Sequence, residues 1–203
     1  MSIESIVVIG LDLAGSPRRP TGFCILYHPS LDAYTSIIYT DEEIVEAIAG
    51  CKPRVVAIDA PLGLPRGRRS MEEHGPHLRL CDIMLRRAGI RFLPVTLGAM
   101  RMLTERGMKL KSIIEGLGFE VIEVYPGGAQ DILGLPRAKK DRYNLRSGLE
   151  KLGLKIHGVD PTVHELDAAT AAYTGLMYVR GDYTALGDPD ESIIIMPKAS
   201  SRV

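Results

Sequence analysis

The sequence predicts one mixed α/β domain, in which helices flank a central mixed sheet of five strands. Three observations lead to this fold class: β-branched runs fill the first sixty residues, helical periodicity follows, and an alanine-rich helix lies near the end. The chain has 203 residues, of which 45% are apolar and 25% are charged, so it can bury a core and does not have the composition of a disordered protein. We therefore expect residues 1–203 to form a single domain.

The first sixty residues predict four strands and a helix. Short β-branched and apolar runs separated by turn residues place the strands over residues 5–13, 21–27, 34–39 and 54–59. The short Pro, Ser and Asp connection between the second and third strands suits an antiparallel hairpin. Thr40 begins the helix, which carries acidic residues in its first turn and ends near Gly50. The fourth strand is almost continuously apolar, which is typical of a strand inside a sheet.

The middle of the chain predicts a helical insertion over about residues 64–117. Residues 61–69 are too rich in Pro, Gly and Arg for regular structure, whereas residues 78–88 and 99–117 have apolar residues at helical spacing. Both periodic stretches end near glycines, as helices commonly do.

The last third of the chain predicts the fifth strand and the longest helix. The strand covers residues 118–125, and a helical turn over residues 129–134 and a helix over residues 140–153 follow it. An alanine-rich helix covers residues 162–179, and residues 193–196 form a strand-like run. We expect strands one to three to be antiparallel, and strands four and five to be parallel to strand one.

Charge and cysteine content limit the partners and the compartment. Lys plus Arg and Asp plus Glu both number 25, so any surface that attracts a polyanion must be local. The three widely spaced cysteines do not form the pattern of a disulfide framework, which favours the reducing cytoplasm. No apolar run approaches membrane-spanning length, and the first one lacks the cationic start of a secretory signal, so we expect no membrane association.

Acidic residues recur at the ends of the predicted strands. Asp12 lies late in strand one, Asp59 closes strand four, and Glu123 lies near the end of strand five. The carboxyl ends of parallel strands line one crevice. Asp12 and Asp59 have strongly apolar neighbours, where an unpaired carboxylate is costly and a cation would remove the cost. The alternative is that each Asp simply caps a turn or a helix.

A third acid lies on the alanine-rich helix. His164 and Asp167 are three residues apart and therefore share one helix face. The small residues after Asp167 allow this helix to approach the sheet closely. Taken alone, an Asp in the first turns can also serve only to complement the helix dipole.

The order and spacing of four stretches carry a family resemblance. They are Gly10 to Ser16 followed by Thr21 and Gly22, Ala57 to Leu62, Val124 to Pro126, and His164 to Tyr173. In these stretches, which are distributed over most of the chain, the sequence resembles the RNase H-like superfamily and, within it, the family called domain of unknown function 429, whose members are predicted nucleases. The resemblance implies an RNase H-like fold and metal-dependent hydrolysis of phosphodiester bonds in nucleic acid.

The same resemblance implies roles for the acids. In the related RuvC-type Holliday-junction resolvases, the acids come from strand one, strand four and the last helix, which carries two acids three residues apart. Asp12, Asp59 and Asp167 match this pattern as catalytic metal ligands for Mg²⁺ or Mn²⁺, with Asp12 bridging two cations. We expect their carboxylates to be close enough to share a cation.

His164 occupies the fourth place and departs from the pattern. Mg²⁺ prefers oxygen ligands, whereas imidazole suits Mn²⁺ better, so His164 is either a metal ligand or a proton-transfer group in the catalytic site. The alternative for His164 is an ordinary surface histidine. Glu123 is a further candidate metal ligand, because strand five directs it toward the same edge of the sheet.

Arginines follow two of the acids in sequence. Loops that leave the carboxyl ends of strands one and four would bracket the metal site and could hold phosphates, although most basic runs are simply solvated surface. The predicted substrate-binding residues in these loops are Arg18, Arg19, Arg66, Arg68 and Arg69.

The most favoured function is therefore a metal-dependent nuclease acting on DNA or RNA. The first alternative is a non-catalytic nucleic-acid-binding or scaffolding protein on the same fold, which the neutral charge balance and the missing fourth acid favour. The second is an actin-like phosphotransferase, but such proteins need two copies of the core and this chain has room for one.

Overall fold

The computed structural model describes residues 5–198, which form one eight-stranded sheet and six helices. The predicted domain limits at residues 1 and 203 lie outside the described part of the chain. The strands are β1 Ile6–Asp12, β2 Thr21–His28, β3 Asp32–Ile38, β4 Val55–Asp59, β5 Val121–Val124, β6 Lys155–His157, β7 Tyr183–Asp188 and β8 Ser192–Pro197. The helices are α1 Asp41–Cys51, α2 Leu80–Arg87, α3 Gly98–Gly116, α4 Pro126–Leu133, α5 Arg142–Lys151 and α6 Val163–Arg180.

The strand order is β6-β3-β2-β1-β4-β5-β8-β7. β2 is antiparallel to both β1 and β3, while β4 is parallel to β1 and β5 is parallel to β4. The five predicted strands therefore occupy the centre of the sheet with the predicted directions. A three-stranded meander followed by two parallel crossover strands is the arrangement that the resemblance implies, and the protein has an RNase H-like fold.

The sheet is wider than the five strands predicted. β6 extends one edge by pairing with β3, and β8 and β7 extend the other edge beyond β5. The sequence did contain the apolar run that forms β8. β6 is only three residues long, and β7 includes Gly187 and Asp188, which favour turns, so local pattern gave no signal for either strand.

Two apolar layers cover the faces of the sheet. On one face, Ile44 and Ile48 of α1 and Leu110 and Ile114 of α3 are fully buried in one cluster with β1 and β4. On the other face, α6 packs across the sheet with α4 and α5 beside it. A smaller cluster joins α2 to β8. The α3 helix, which the sequence placed in an insertion, is thus part of a layer that covers the sheet.

The α6 helix lies unusually close to β1 and β2 because glycines face it. A Cβ atom on Gly10 would lie 2.1 Å from the carbonyl oxygen of Ala168, and one on Gly22 would lie 2.0 Å from that of His164. Thr162 caps the helix in a capping box with Glu165. The start of α6 is therefore held directly over the end of β1.

The α4 helix begins earlier than the sequence predicts. Pro126 and the two glycines after it were expected only to stop the fifth strand, but they form the first turn of α4. Proline is well tolerated in a first helical turn, because the N–H that it lacks has no intrahelical partner there. Within residues 5–198, no helix combines the length and apolar character needed to cross a membrane.

Candidate active site

Asp12 and Asp59 lie side by side at the carboxyl ends of two neighbouring parallel strands. They are paired residues in the ladder between β1 and β4, where adjacent strands are about 4.8 Å apart. Both residues are partly buried. The register of the sheet therefore brings together two acids that are far apart in the sequence.

Asp167 joins them from the second turn of α6, and Gln130 of α4 orients it. The Nε2 group of Gln130 donates hydrogen bonds to Asp167 Oδ1 at 2.7 Å and to Thr170 Oγ1 at 3.1 Å. Gln130 is completely buried, and its Oε1 atom has no hydrogen-bond partner within residues 5–198. Two bonds from one buried amide group fix the position of the Asp167 carboxylate.

His164 contacts Asp12 directly. Its Nδ1 atom lies 2.6 Å from Asp12 Oδ2, and because a carboxylate only accepts hydrogen bonds, Nδ1 carries the proton. This hydrogen bond, together with the negative charge of Asp12, raises the pKa of His164 above its ordinary value, although partial burial acts in the opposite direction. The raised pKa favours the imidazolium form of His164, whose positive charge opposes the negative charge of Asp12.

Asp59 and Asp167 both have raised pKa values. Burial and then the charges of Asp12 and Asp167 hold the pKa of Asp59 well above its usual range. Burial and the charge of Asp12 raise the pKa of Asp167 to about 6. Neighbouring carboxylates behave in this way when they share a poorly solvated region. Full ionisation of the cluster at neutral pH is therefore unfavourable without a compensating charge.

The donor set suits a hard divalent cation, since three carboxylates supply the oxygen ligands that Mg²⁺ and Mn²⁺ accept. However, residues 5–198 contain no group of three or more His, Cys, Asp or Glu side chains already arranged to hold a metal ion. The hydrogen bond from His164 occupies one oxygen of Asp12, and that from Gln130 occupies one oxygen of Asp167. The sharing of a cation by these three acids therefore stays a prediction.

Glu123 was predicted as a metal ligand, but its carboxylate lies in a different environment. Both of its oxygens accept hydrogen bonds from the Arg79 guanidinium at 2.8 Å, and Oε2 also accepts from the Leu62 N–H at 2.8 Å and from the Ser192 hydroxyl at 2.6 Å. Arg79 is only 2% exposed and also pairs with Asp82. The lone pairs of Glu123 are thus used inside a buried ion network.

The predicted substrate-binding arginines divide into two groups. Arg68 is buried, and its guanidinium donates to backbone carbonyls in residues 70–76, while Arg66 pairs with Asp188 in the turn region of β7 and β8. These two side chains hold loops together. By contrast, the guanidinium groups of Arg18, Arg19 and Arg69 form no hydrogen bond or ion pair within residues 5–198, and these three residues are exposed.

Arg19 has a further connection to the acids. It lines a cavity of about 210 Å³ together with Asp12, Gly15 and His164. A phosphate bound in this cavity would contact the guanidinium group of Arg19 beside the predicted catalytic residues Asp12 and His164. Of the five arginines, Arg19 is therefore the one that the structure brings next to this cluster.

Sequence reasoning missed two residues at the site. Gln130 gave no signal, because an isolated glutamine in a short helix is unremarkable in sequence. Lys139 belongs to a basic run that was interpreted as surface, but its positive charge partly opposes the rise in the pKa values of Asp59 and Asp167. It is exposed, on the segment between α4 and α5.

The pKa of Asp167 predicts a pH-dependent gain in stability for Asp167→Asn. Between the unfolded value near 3.9 and the folded value of about 6, the native state binds more protons, so its stability falls as pH rises through this range. Asn carries no charge and escapes this loss. In chelator, we expect the variant to be about 2–3 kcal/mol more stable than the wild type at about pH 8, and equally stable near pH 4, by urea denaturation. Asp190→Asn, at an exposed acid, serves as the control, and a similar response of both variants would contradict the assignment.

Comparison with known proteins gives a family and one similar solved structure. The Thermus thermophilus RuvC structure is similar over 87% of this chain and 96% of its own, with 16% identical residues and a TM-score of 0.49. No curated protein matches the chain. The family described as protein of unknown function (DUF429) matches residues 10–192. Because this match covers most of the sequence, the chain belongs to the DUF429 family.

Proposed function

We propose that the protein is a metal-dependent nuclease that hydrolyses phosphodiester bonds in DNA or RNA with the help of Mg²⁺ or Mn²⁺. One observation carries the proposal: Asp12, Asp59 and Asp167 come from three separate elements, and burial together with the charge of Asp12 raises the pKa values of Asp59 and Asp167. Such an arrangement costs stability in the absence of a cation. A divalent cation would remove this cost.

Asp12, Asp59 and Asp167 are the residues that would hold the cation. When bound, it would supply charge neutralisation at the phosphate and an activated water. His164 Nδ1 carries a proton that lies next to Asp12 Oδ2. His164 can transfer this proton to an oxygen of the substrate. Gln130 keeps the Asp167 carboxylate oriented through its Nε2 hydrogen bond.

Basic side chains near the acids support nucleic acid as the partner, even though the whole chain has no net charge. Arg19 borders the cavity at Asp12 and His164, and the positive charge of Lys139 acts on the carboxyl of Asp167. Arg18 and Arg69 are exposed and could bind phosphates farther along a strand. A strand whose phosphates contact these groups would have one phosphate beside the carboxylates.

The test is cleavage of a substrate panel by the purified protein. Duplex, hybrid, single-stranded and four-way substrates would be incubated with Mn²⁺, Mg²⁺ or chelator at low salt. We expect cleavage in Mn²⁺, slower cleavage in Mg²⁺ because His164 takes the place of an acid, and none in chelator. Binding with no cleavage of any substrate in Mn²⁺ would contradict the nuclease proposal.

That outcome would favour a non-catalytic nucleic-acid-binding role. The observation that favours this role is that residues 5–198 have no group of ligands already arranged around a metal position.

A cytoplasmic location is also part of the proposal, since all three cysteines are free thiols and two of them, Cys24 and Cys81, are buried.

A further inference from the structure

A second cavity, of about 400 Å³, opens beside Asp59 and away from His164. Its volume falls near the lower end of small-molecule sites, so it suits a single nucleotide and excludes a duplex. It lies between the ends of β4 and β5 and the segment that joins α2 to α3. None of the functions assigned above uses this cavity.

One side of the cavity is apolar. Leu85 and Leu103 contribute buried or half-buried surface, and Phe92, Leu93 and Met100 complete the wall. Leu93 is 58% exposed, which is unusual for a leucine that lines a cavity. Such a wall offers a contact surface to the face of an aromatic ring.

The floor of the cavity is polar, and its charged groups already hydrogen-bond to one another. Arg79 lies between Asp82 and Glu123, and four of its five N–H groups donate to these carboxylates. One N–H of Arg79 Nη1 and the unused lone pairs of the two carboxylates are left to bind a ligand. A charged ligand would disturb this network, whereas a neutral group with donors and acceptors at its edge would not.

The mouth of the cavity carries positive charge and is already formed. Tyr125 donates a hydrogen bond to the carbonyl oxygen of Arg91, and Arg137 donates to Tyr125 Oη at 3.2 Å while it lies over the tyrosine ring. Asp131 holds Arg137 in place by an ion pair. The guanidinium of Arg91 forms no ion pair within residues 5–198. An anionic group at the mouth would meet both arginines.

We propose that this cavity receives one unpaired nucleobase from the strand whose phosphate lies at Asp59. The base has an apolar face for the leucine and phenylalanine wall and a neutral hydrogen-bonding edge for the floor. The phosphate of its nucleotide would meet Arg91 and Arg137. Since Asp59 lines one end of the cavity, the base and the phosphate to be cut would belong to adjacent positions of the same strand. The proposal rests on the nuclease function and narrows its substrate to strands with an unpaired or extruded base.

The first experiment needs no cleavage. Calorimetric titration of the metal-free protein would compare the four nucleoside 5′-monophosphates with ribose 5-phosphate. We expect nucleotide binding that Leu93→Ala weakens by about tenfold, because the base loses an apolar contact. The matched control is Leu97→Ala, since Leu97 is 54% exposed in the same segment but does not line the cavity. Equal binding of ribose 5-phosphate, or equal effects of the two variants, would overturn the base pocket.

The second experiment separates this proposal from the nuclease function. In an oligonucleotide that the protein cleaves, an abasic site next to the cleavage position should slow cleavage about tenfold. Abasic sites farther away should have little effect. Cleavage that is unaffected by every abasic site would overturn the base pocket and leave the nuclease function standing. Nucleotide binding that depends on Leu93, without any cleavage, would support the pocket and remove the nuclease function.

Discussion

Arg79→Leu is expected to lower the free energy of unfolding by about 3–5 kcal/mol, the largest stability effect that we predict for one substitution. Arg79 is 2% exposed and is the cation between the carboxylates of Asp82 and Glu123, which are also buried. Its loss would leave two carboxylates uncompensated in a poorly solvated place. Urea denaturation at neutral pH measures the difference.

Arg101→Leu is the matched control for this prediction. Arg101 also faces two carboxylates, those of Glu72 and Glu105, but it is 41% exposed, so we expect a loss below about 1 kcal/mol. Replacing Arg79, Asp82 and Glu123 together with apolar residues should recover much of the stability, because no buried charge then remains. A small effect of Arg79→Leu alone would mean that the network is not ionised as described.

Asp12→Asn is expected to reduce cleavage on the order of 10²–10³-fold, the loss typical when one preorganised group that stabilises charge is removed. It should also abolish the rise in melting temperature that Mn²⁺ produces by binding only the folded state. Both effects follow from the position of Asp12 beside Asp59 and below α6. Initial cleavage rates and thermal unfolding with and without Mn²⁺ measure them.

The chain offers a closely matched control in a second acid–histidine pair. Asp32 Oδ1 lies 2.8 Å from His157 Nε2, so these two residues form a pair like that of Asp12 and His164. Asp32, however, lies at the start of β3. Asp32→Asn should leave cleavage and the Mn²⁺ shift unchanged. If Asp12→Asn retains wild-type rates, or if both variants lose activity equally, the assigned acid cluster is not the active centre.

The central sheet was predictable from the sequence, because its five strands depend on local pattern. Asp12 and Asp59 are recognisable from the apolar runs before them, and parallel neighbouring strands make their proximity a geometric consequence. Asp167 was singled out by the family resemblance, because an Asp in the first turns of a helix can also serve only to complement the helix dipole. The strand patterns before Asp12 and Asp59, by contrast, are local.

The rest depends on contacts between distant parts of the chain. Glu123 finds its partners at Leu62, Arg79 and Ser192, which are 61, 44 and 69 residues away, so its neighbours in sequence gave no indication of them. Arg68 has the same local sequence whether it faces a phosphate or the carbonyls of its own loop. The edge strands β6 and β7 likewise owe their conformation to pairing with β3 and β8 more than to their own residues.

The glycine contacts beneath α6 determine which parts of the site can adjust when a ligand arrives. At Gly10 and Gly22 the backbone of the helix lies against the backbone of the sheet, with no side chain between them that could change rotamer. Helix and sheet therefore behave as one rigid body here, because a shift of α6 would have to break main-chain packing. Adaptation is left to torsions of Asp12, His164 and Asp167, so a ligand would be accommodated by exchanging hydrogen bonds on a fixed frame.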